Sequence, residues 1–496
     1  MRFLLGPFLL ISFGILFGGS VFSQSVKADL VILNADVRTM NDKQPRAEAV
    51  AIIGNKIIAV GKSDEIRKLV NDATKIVDAK GKLVLPGFND AHVHFMAIGN
   101  TFSSLGLKDI TTADEFYVQI RRYVKFLPKG RWILGSGGSN ELWGQIHGDA
   151  LDRLAPDNPV FLYHHDTKSA IANTSAIKAA NIKTAMPGVI RSTELEKMIR
   201  AVPSDHMKRW SEIAETASNY AASLGVISVQ DMDSDDQAAV YKELEGAGRL
   251  KTRVNDCSSL REWAKNKKPF TEKNTNLVRS GCLKGFHDGD LEDIKWTTTL
   301  REDILAADKA GRQIAIHAIG GNATSLVLKI FDEATRSNKR SDRRFRLEHA
   351  ERIKKADIAK YGKLNIVASI QPYLFGDGAG YSSGYYRDLS RAGFLTAVGS
   401  DAPMLQFEPM LAVVSVQKGN GDIMSVIKDH TLTSAFAEFQ ESVKGSLEAG
   451  KYADMVILNF DHKTLTSLTY EGRGQVLDKV MMTIVDGKVV YQANLD

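Results

Sequence analysis

Cysteine is scarce, with two in 496 residues, Cys257 and Cys282. So low a count excludes a small fold stapled by a disulfide framework. Each cysteine falls in or beside a strand-like run, so both are read as buried thiols rather than as a bridge. Long uncharged apolar runs are missing beyond the N-terminal leader, which leaves the body of the chain without a membrane-spanning helix. Blocks of Lys and Arg interleaved with aromatics are also missing. With 64 Lys+Arg against 59 Asp+Glu, the slight basic excess gives no footprint for nucleic acid. Low-complexity stretches are few, and a hydrophobic share of 44% points to a folded globule throughout.

What is present begins with a leader. Arg2 supplies a positive start, residues 4–17 are largely apolar, and Val21-Phe22-Ser23 offers a cleavage site. Residues 1–23 are therefore expected to be a signal peptide, which would export the protein to the periplasm or the medium. A membrane anchor is the alternative, but the apolar run is short for a span. No cysteine stands at the cut to suggest a lipoprotein.

After the leader, ADLVILNADVRTM, AEAVAIIGNKIIAVG and ATKIVDAKGKLVLPG alternate or run apolar between Gly-Asn and Lys-Gly turns, the pattern of hairpin-linked strands. KYADMVILNFD and VMMTIVDGKVVYQ repeat it at the other end, and ADLVILN (28–34) is echoed by ADMVILN (453–459). Neither set can bury a face alone, so residues 24–85 and 446–496 are expected to form one composite β-sandwich.

Between them lie eight strand-like segments, at 87–95, 225–232, 250–256, 281–289, 313–320, 345–351, 365–372 and 394–401. Helical stretches separate them, such as the one carrying Trp210, Ile213, Ala217 and Tyr220 at three-four spacing. Eight strands alternating with helices make residues 86–445 an α/β fold, a (β/α)8 TIM barrel whose active site lies at the C-terminal strand ends. The gap after the first strand is too long for one helix and holds an inserted subdomain at about 100–205. An insertion there sits over the mouth and shapes the substrate pocket. Trp143 is its expected substrate contact.

The chemistry concentrates at the strand ends. LPGFNDAHVHF puts His92 and His94 two apart at the end of an apolar strand, where both imidazoles point one way. LKGF adds Lys284, AIHAIG adds His317, RLEHAE adds His349 and VGSDAP adds Asp401, each a potential ligand or base.

This order of motifs, with DRLAPDNPVFL, IQP and GSLEAGKYADMVIL, resembles the amidohydrolase superfamily, and within it the YtcJ-like branch that includes N-substituted formamide deformylases. The resemblance covers nearly everything after residue 27. It implies a divalent metal, zinc for preference, held by His92, His94, His317 and Asp401 in a one-ion version. In a two-ion version a carboxylated Lys284 bridges the metals and His349 joins His317 on the second. Asp401 then moves the proton, and His349 either binds metal or steadies the oxyanion. The implied activity is hydrolysis of a non-peptide C–N bond in a formamide, an N-acyl amine or a cyclic amide. A lactonase or esterase on the same fold is the nearest alternative, and an envelope binding protein without catalysis is another. The expected partner is a small molecule, with a homodimer left open.

Two motifs depart from the branch. HAIGGNA stands where HAIGDRA is usual, and DTKSAIANTS places Lys168 where a pocket histidine is expected. A cation at that position would favour a substrate bearing a carboxylate.

Overall fold

The computed structural model describes residues 27–493, apart from 103, 108–109, 137–139, 164–168, 184–186, 204–205, 235–236, 268–272, 289–293, 374–382, 418–421 and 468–478. The expected signal peptide therefore lies outside the described residues, as does Lys168. No helix among the described residues is long and apolar enough to cross a membrane.

At the centre stands an eight-stranded sheet whose strands follow chain order. These are β1 (Phe88–Val93), β2 (Val226–Ser234), β3 (Arg253–Ser259), β4 (Val278–Asp288), β5 (Ile314–Ile319), β6 (Arg346–Glu348), β7 (Val367–Ile370) and β8 (Leu395–Val398). Every neighbouring pair is parallel. Each strand overlaps one of the eight segments expected from the sequence, and the architecture is a (β/α)8 barrel. Two backbone hydrogen bonds stitch its first and last strands together at the mouth. The Asp401 N–H donates to the His92 carbonyl at 2.8 Å, and the His94 N–H to the Ala402 carbonyl at 2.9 Å. Gly399 permits this approach, because a Cβ there would stand 2.5 Å from the His92 nitrogen.

Helices form the outer ring. His206–Ser223 buries Ile213, Ala214, Ala217, Tyr220 and Ala221, a stripe at helical spacing, against Phe95–Thr101. Their contact is close enough that a Cβ on Gly99 would meet the Ile213 carbonyl oxygen at 2.0 Å. The insertion carries its own sheet, in the order 188–191, 169–172, 160–163, 133–136, 104–106.

The two chain ends interleave. Met455–Leu458 runs antiparallel to Leu83–Pro86 in a six-stranded sheet, and Leu30–Leu33 lies in the facing four-stranded sheet. Leu30 and Ile32 share a core with Met455 and Ile457, so the echoed heptapeptides occupy opposite sides of one apolar layer. A buried ion triad ties this region to the barrel. Arg253 on β3 meets Asp454 at 2.7 Å and Asp486 at 3.0 Å, with its guanidinium over the Tyr452 ring.

The reading of Cys257 and Cys282 as free thiols is corrected: they form a disulfide, with Cα atoms 4.4 Å apart. They lie on adjacent strands β3 and β4, where the ladder shifts register between Asp256 and Ser258 and sets the two side chains opposite each other. That register is a tertiary fact, invisible in a separation of 25 residues. The bridge sits with Met232 and Ala315 inside the barrel.

Candidate metal centre

Strand alternation builds the site. In β1, Asp90 and His92 share the inward face. His94 follows as the first turn of the helix Phe95–Thr101 begins. The Asp90 carboxylate accepts from the His92 N–H at 3.1 Å and the Ser400 N–H at 3.0 Å, clipping the end of β8 to β1. Burial pushes its carboxyl up to about 7.

At the mouth, ligand atoms of His92, His349 and Asp401 lie within 4.8 Å of one another. Asp401 Oδ1 is 3.3 Å from His92 Nε2 and 3.4 Å from His94 Nε2. A tetrahedral ion with bonds of 2.0–2.1 Å separates its ligand atoms by about 3.3 Å. The donor set and spacing therefore fit a divalent cation. His317 joins through His349, with ring centroids 4.4 Å apart. Lys284 is buried at 2% exposure, its Nζ 3.4 Å from His92 Nε2. All six residues expected as ligands thus converge at one end of the barrel.

Neighbouring side chains prepare the imidazoles. The Glu348 carboxylate can only accept, so at 2.7 Å it takes the Nδ1 proton of His92 and leaves Nε2 facing Asp401 and Lys284. Gln371 Oε1 does the same for His349 Nδ1 at 2.9 Å. Burial holds His92 well below the usual histidine range, with the Lys284 cation adding to the effect. Burial, with His317 beside it, brings His349 down to about 4. Both rings are therefore neutral and able to bind metal at pH 7. Burial works against ionisation of Glu348, but Arg346 and the His92 hydrogen bond hold its carboxyl well below the usual range. Arg346, itself fully buried, meets Glu348 at 2.7 Å and also reaches Gln230 and the Ala91 carbonyl. Burial likewise opposes Asp401, and the His94 hydrogen bond and His92 keep it ionised. His349 and Asp401 both hold left-handed backbone, at φ 57° and 56°, conformations that non-glycine residues adopt rarely and that gather at functional sites.

The profile of the amidohydrolase family matches residues 75–491. The chain belongs to the amidohydrolase family. Over 94% of its length it is 28% identical to LONG AFTER FAR-RED 3 of Arabidopsis thaliana, covering 92% of that protein. It is 25% identical to an N-substituted formamide deformylase of Arthrobacter pascens (94% of this chain, 98% of that one) and 24% identical to YtcJ of Bacillus subtilis strain 168 (92% and 98%). These relatives place the amidohydrolase in the YtcJ-like branch. A solved metal-dependent hydrolase of Pyrococcus horikoshii superposes with TM-score 0.61 at 22% identity, over 89% of this chain and 99% of that one. The family gives the class of chemistry, hydrolysis of a carbon–nitrogen bond.

Trp143 lies in the helix Asn140–Gln145 and is buried in the main apolar core beside Leu142 and Ile146, not on an open surface. Asn322, one of the two departures from the branch motif, accepts a hydrogen bond from Lys354 at 2.8 Å. Sequence reasoning passed over Asp90, Glu348, Arg346 and Gln371. Period-two spacing within DAHVH and RLEHAE was the available signal for the first three: Asp90 shares a strand face with His92, Glu348 adjoins His349, and Arg346 shares a face with Glu348.

Proposed function

We propose that this amidohydrolase is an exported enzyme that cleaves a non-peptide C–N bond of a small formamide, N-acyl amine or cyclic amide. The observation that carries the reading is the meeting of Asp401 Oδ1 with two imidazole Nε2 atoms at 3.3 and 3.4 Å, at the barrel's C-terminal end. His92, His94, His349 and Asp401 would hold a divalent ion, zinc for preference, with His317 and Lys284 beside it for a second. A divalent ion there supplies an acidic water near neutral pH and polarises a carbonyl.

The remaining work belongs to the chain. Asp401, ionised and 17% exposed at the mouth, takes the proton of the attacking water and returns it to the leaving nitrogen. His349, neutral and oriented by Gln371, stands where it can bind metal or steady the developing oxyanion. Glu348 and Gln371 keep both rings in the tautomer that presents Nε2. The barrel wall holds all of these groups in place before substrate arrives, which lowers the reorganisation cost of the reaction.

Export is supported by the leader sequence and by the Cys257–Cys282 bridge, since disulfides persist in oxidising compartments.

The test is metal content by elemental analysis together with amide hydrolysis, on wild type, Lys284→Ala and Asp401→Asn. Asp401→Asn is expected to keep most metal and to lose about a thousandfold in turnover, within the range of general acid–base catalysis. Two ions per chain that fall in Lys284→Ala establish a lysine-bridged pair, and one ion in both leaves Lys284 outside the ligand set. Wild type without tightly held metal, or Asp401→Asn with normal turnover, overturns the reading.

A further inference from the structure

Seven large hydrophobic side chains are exposed among the described residues, and three of them stand within three positions of a candidate ligand. Phe286, 49% exposed, is two residues beyond Lys284. Ile319, 46% exposed, is two beyond His317, and Met404, 76% exposed, is three beyond Asp401. The spacing has a geometric meaning. Side chains two apart on a strand share a face, and Phe286 pairs in register with the inward-facing His317. Phe286 therefore faces inward one step beyond Lys284 and level with His317, and Ile319 faces inward one step beyond His317. Inward positions of a TIM barrel are normally filled by packed side chains. Here the two positions are apolar and half open.

The Phe286 ring has a defined seat. Its centroid lies 4.9 Å from Lys284 Nζ and 5.5 Å from the centroid of the His317 ring. One side of the ring covers these two groups, and Lys284 is almost wholly shielded. About half of the Phe286 surface stays open to solvent. Apolar surface kept open beside a polar centre marks a place where a ligand buries it. A carboxylate set against these side chains would lose its water without gaining a partner.

We infer that Phe286 and Ile319 form the seat for the non-reacting substituent of the substrate, and that this substituent is an uncharged aryl or branched alkyl group. The inference rests on the amide-hydrolase reading and adds the substrate class to it. It runs against the carboxylate-bearing substrate expected from Lys168.

The probes are benzohydroxamate, 4-carboxybenzohydroxamate and acetohydroxamate, titrated by calorimetry into the metal-loaded protein. Wild type is expected to bind benzohydroxamate about tenfold or more tighter than either of the other two, the discrimination an apolar pocket supplies. Phe286→Ala combined with Ile319→Ala should shrink the benzo-to-aceto ratio below about threefold without changing metal content or acetohydroxamate binding. Phe286→Leu keeps a cover over Lys284 and should give an intermediate ratio. Equal affinities for the phenyl and methyl probes in wild type, a ratio untouched by these substitutions, or a carboxyphenyl probe bound as tightly as the phenyl one would overturn the inference. The readout is binding, so a wild type that discriminates the probes yet hydrolyses no amide refutes the catalytic reading alone.

Discussion

Glu348→Gln removes one charge, turns one accepting oxygen into an NH2 donor and nearly keeps the shape of the site, so its consequences report electrostatics and hydrogen bonding with little change in packing. In the native protein the Glu348 carboxylate has no exposure and bridges His92 Nδ1 and Arg346 Nε, both at 2.7 Å. Two costs follow from neutralising it. The Arg346 guanidinium, also fully buried, loses its counter-charge. Breaking a buried pair in that way costs about 3–5 kcal/mol, with the lower end expected because Gln keeps a hydrogen-bonding oxygen. His92 in turn loses the anion that raises its basicity and fixes its tautomer, which weakens metal binding about 10- to 100-fold, or about 1.4–2.8 kcal/mol. Metal affinity is measured by competition with a chromophoric chelator, and stability by urea unfolding of the metal-free protein. A folded variant whose metal dissociation constant stays within about twofold of wild type would refute the orienting role of Glu348. Glu348→Asp, which withdraws the carboxylate by one methylene, should lose metal affinity while keeping the charge beside Arg346.

Three further outcomes are expected. His430 is wholly buried, its Nδ1 3.2 Å from the Asn89 carbonyl, and burial lowers it to about 4. Below its unfolded value of about 6.5 the unfolded chain takes a proton that the folded one refuses, so stability falls as the pH drops from about 6.5 to about 4. Between pH 7.5 and 5.0 this amounts to about 2 kcal/mol. Urea midpoints in chelator should therefore drop more for wild type than for His430→Gln, and equal drops would remove His430 as the cause. Arg253→Met strands the buried Asp454 carboxylate at the joint between sandwich and barrel, at a cost of about 3–5 kcal/mol by urea unfolding. Adding Asp454→Leu should recover part of that loss, whereas a further additive loss would contradict the assigned pairing. Replacing Cys257 and Cys282 together by Ala opens a loop of 25 residues and should cost about 3.5 kcal/mol on the chain-entropy account. Two titratable thiols in the denatured, unreduced wild type would show that the bridge does not form.

The barrel was legible because its signal is periodic. Strands such as Ile314–Ile319 and Val367–Ile370 are short apolar runs ended by a turn or a polar residue, and a run of that kind needs no distant partner to be seen. That the candidate site residues meet was legible for a related reason: His92, His94, Lys284, His317, His349 and Asp401 stand in or just beyond strand-like segments, and a barrel delivers all strand ends to one rim. Glu348 was harder, because nothing in RLEHAE says that its carboxylate meets His92, 256 residues earlier. Trp143 shows what an inserted segment leaves open to a sequence reading. An aromatic residue in an inserted segment is as well suited to the core as to a pocket, and only packing decides.

Local pattern alone therefore determined the fold class, the end of the barrel that carries the chemistry, and the residue types able to hold a metal there. Alternation and strand length act within a few residues, so one chain suffices to read them. Tertiary structure decided the rest: the register that sets Cys257 against Cys282, the carboxylate behind His92, the amide behind His349, and the half-open Phe286 and Ile319 beside the candidate site. Those facts depend on how strands far apart in sequence are shifted along one another. A shift of one residue exchanges the inward and outward faces of a strand, and no local pattern records the shift between strands.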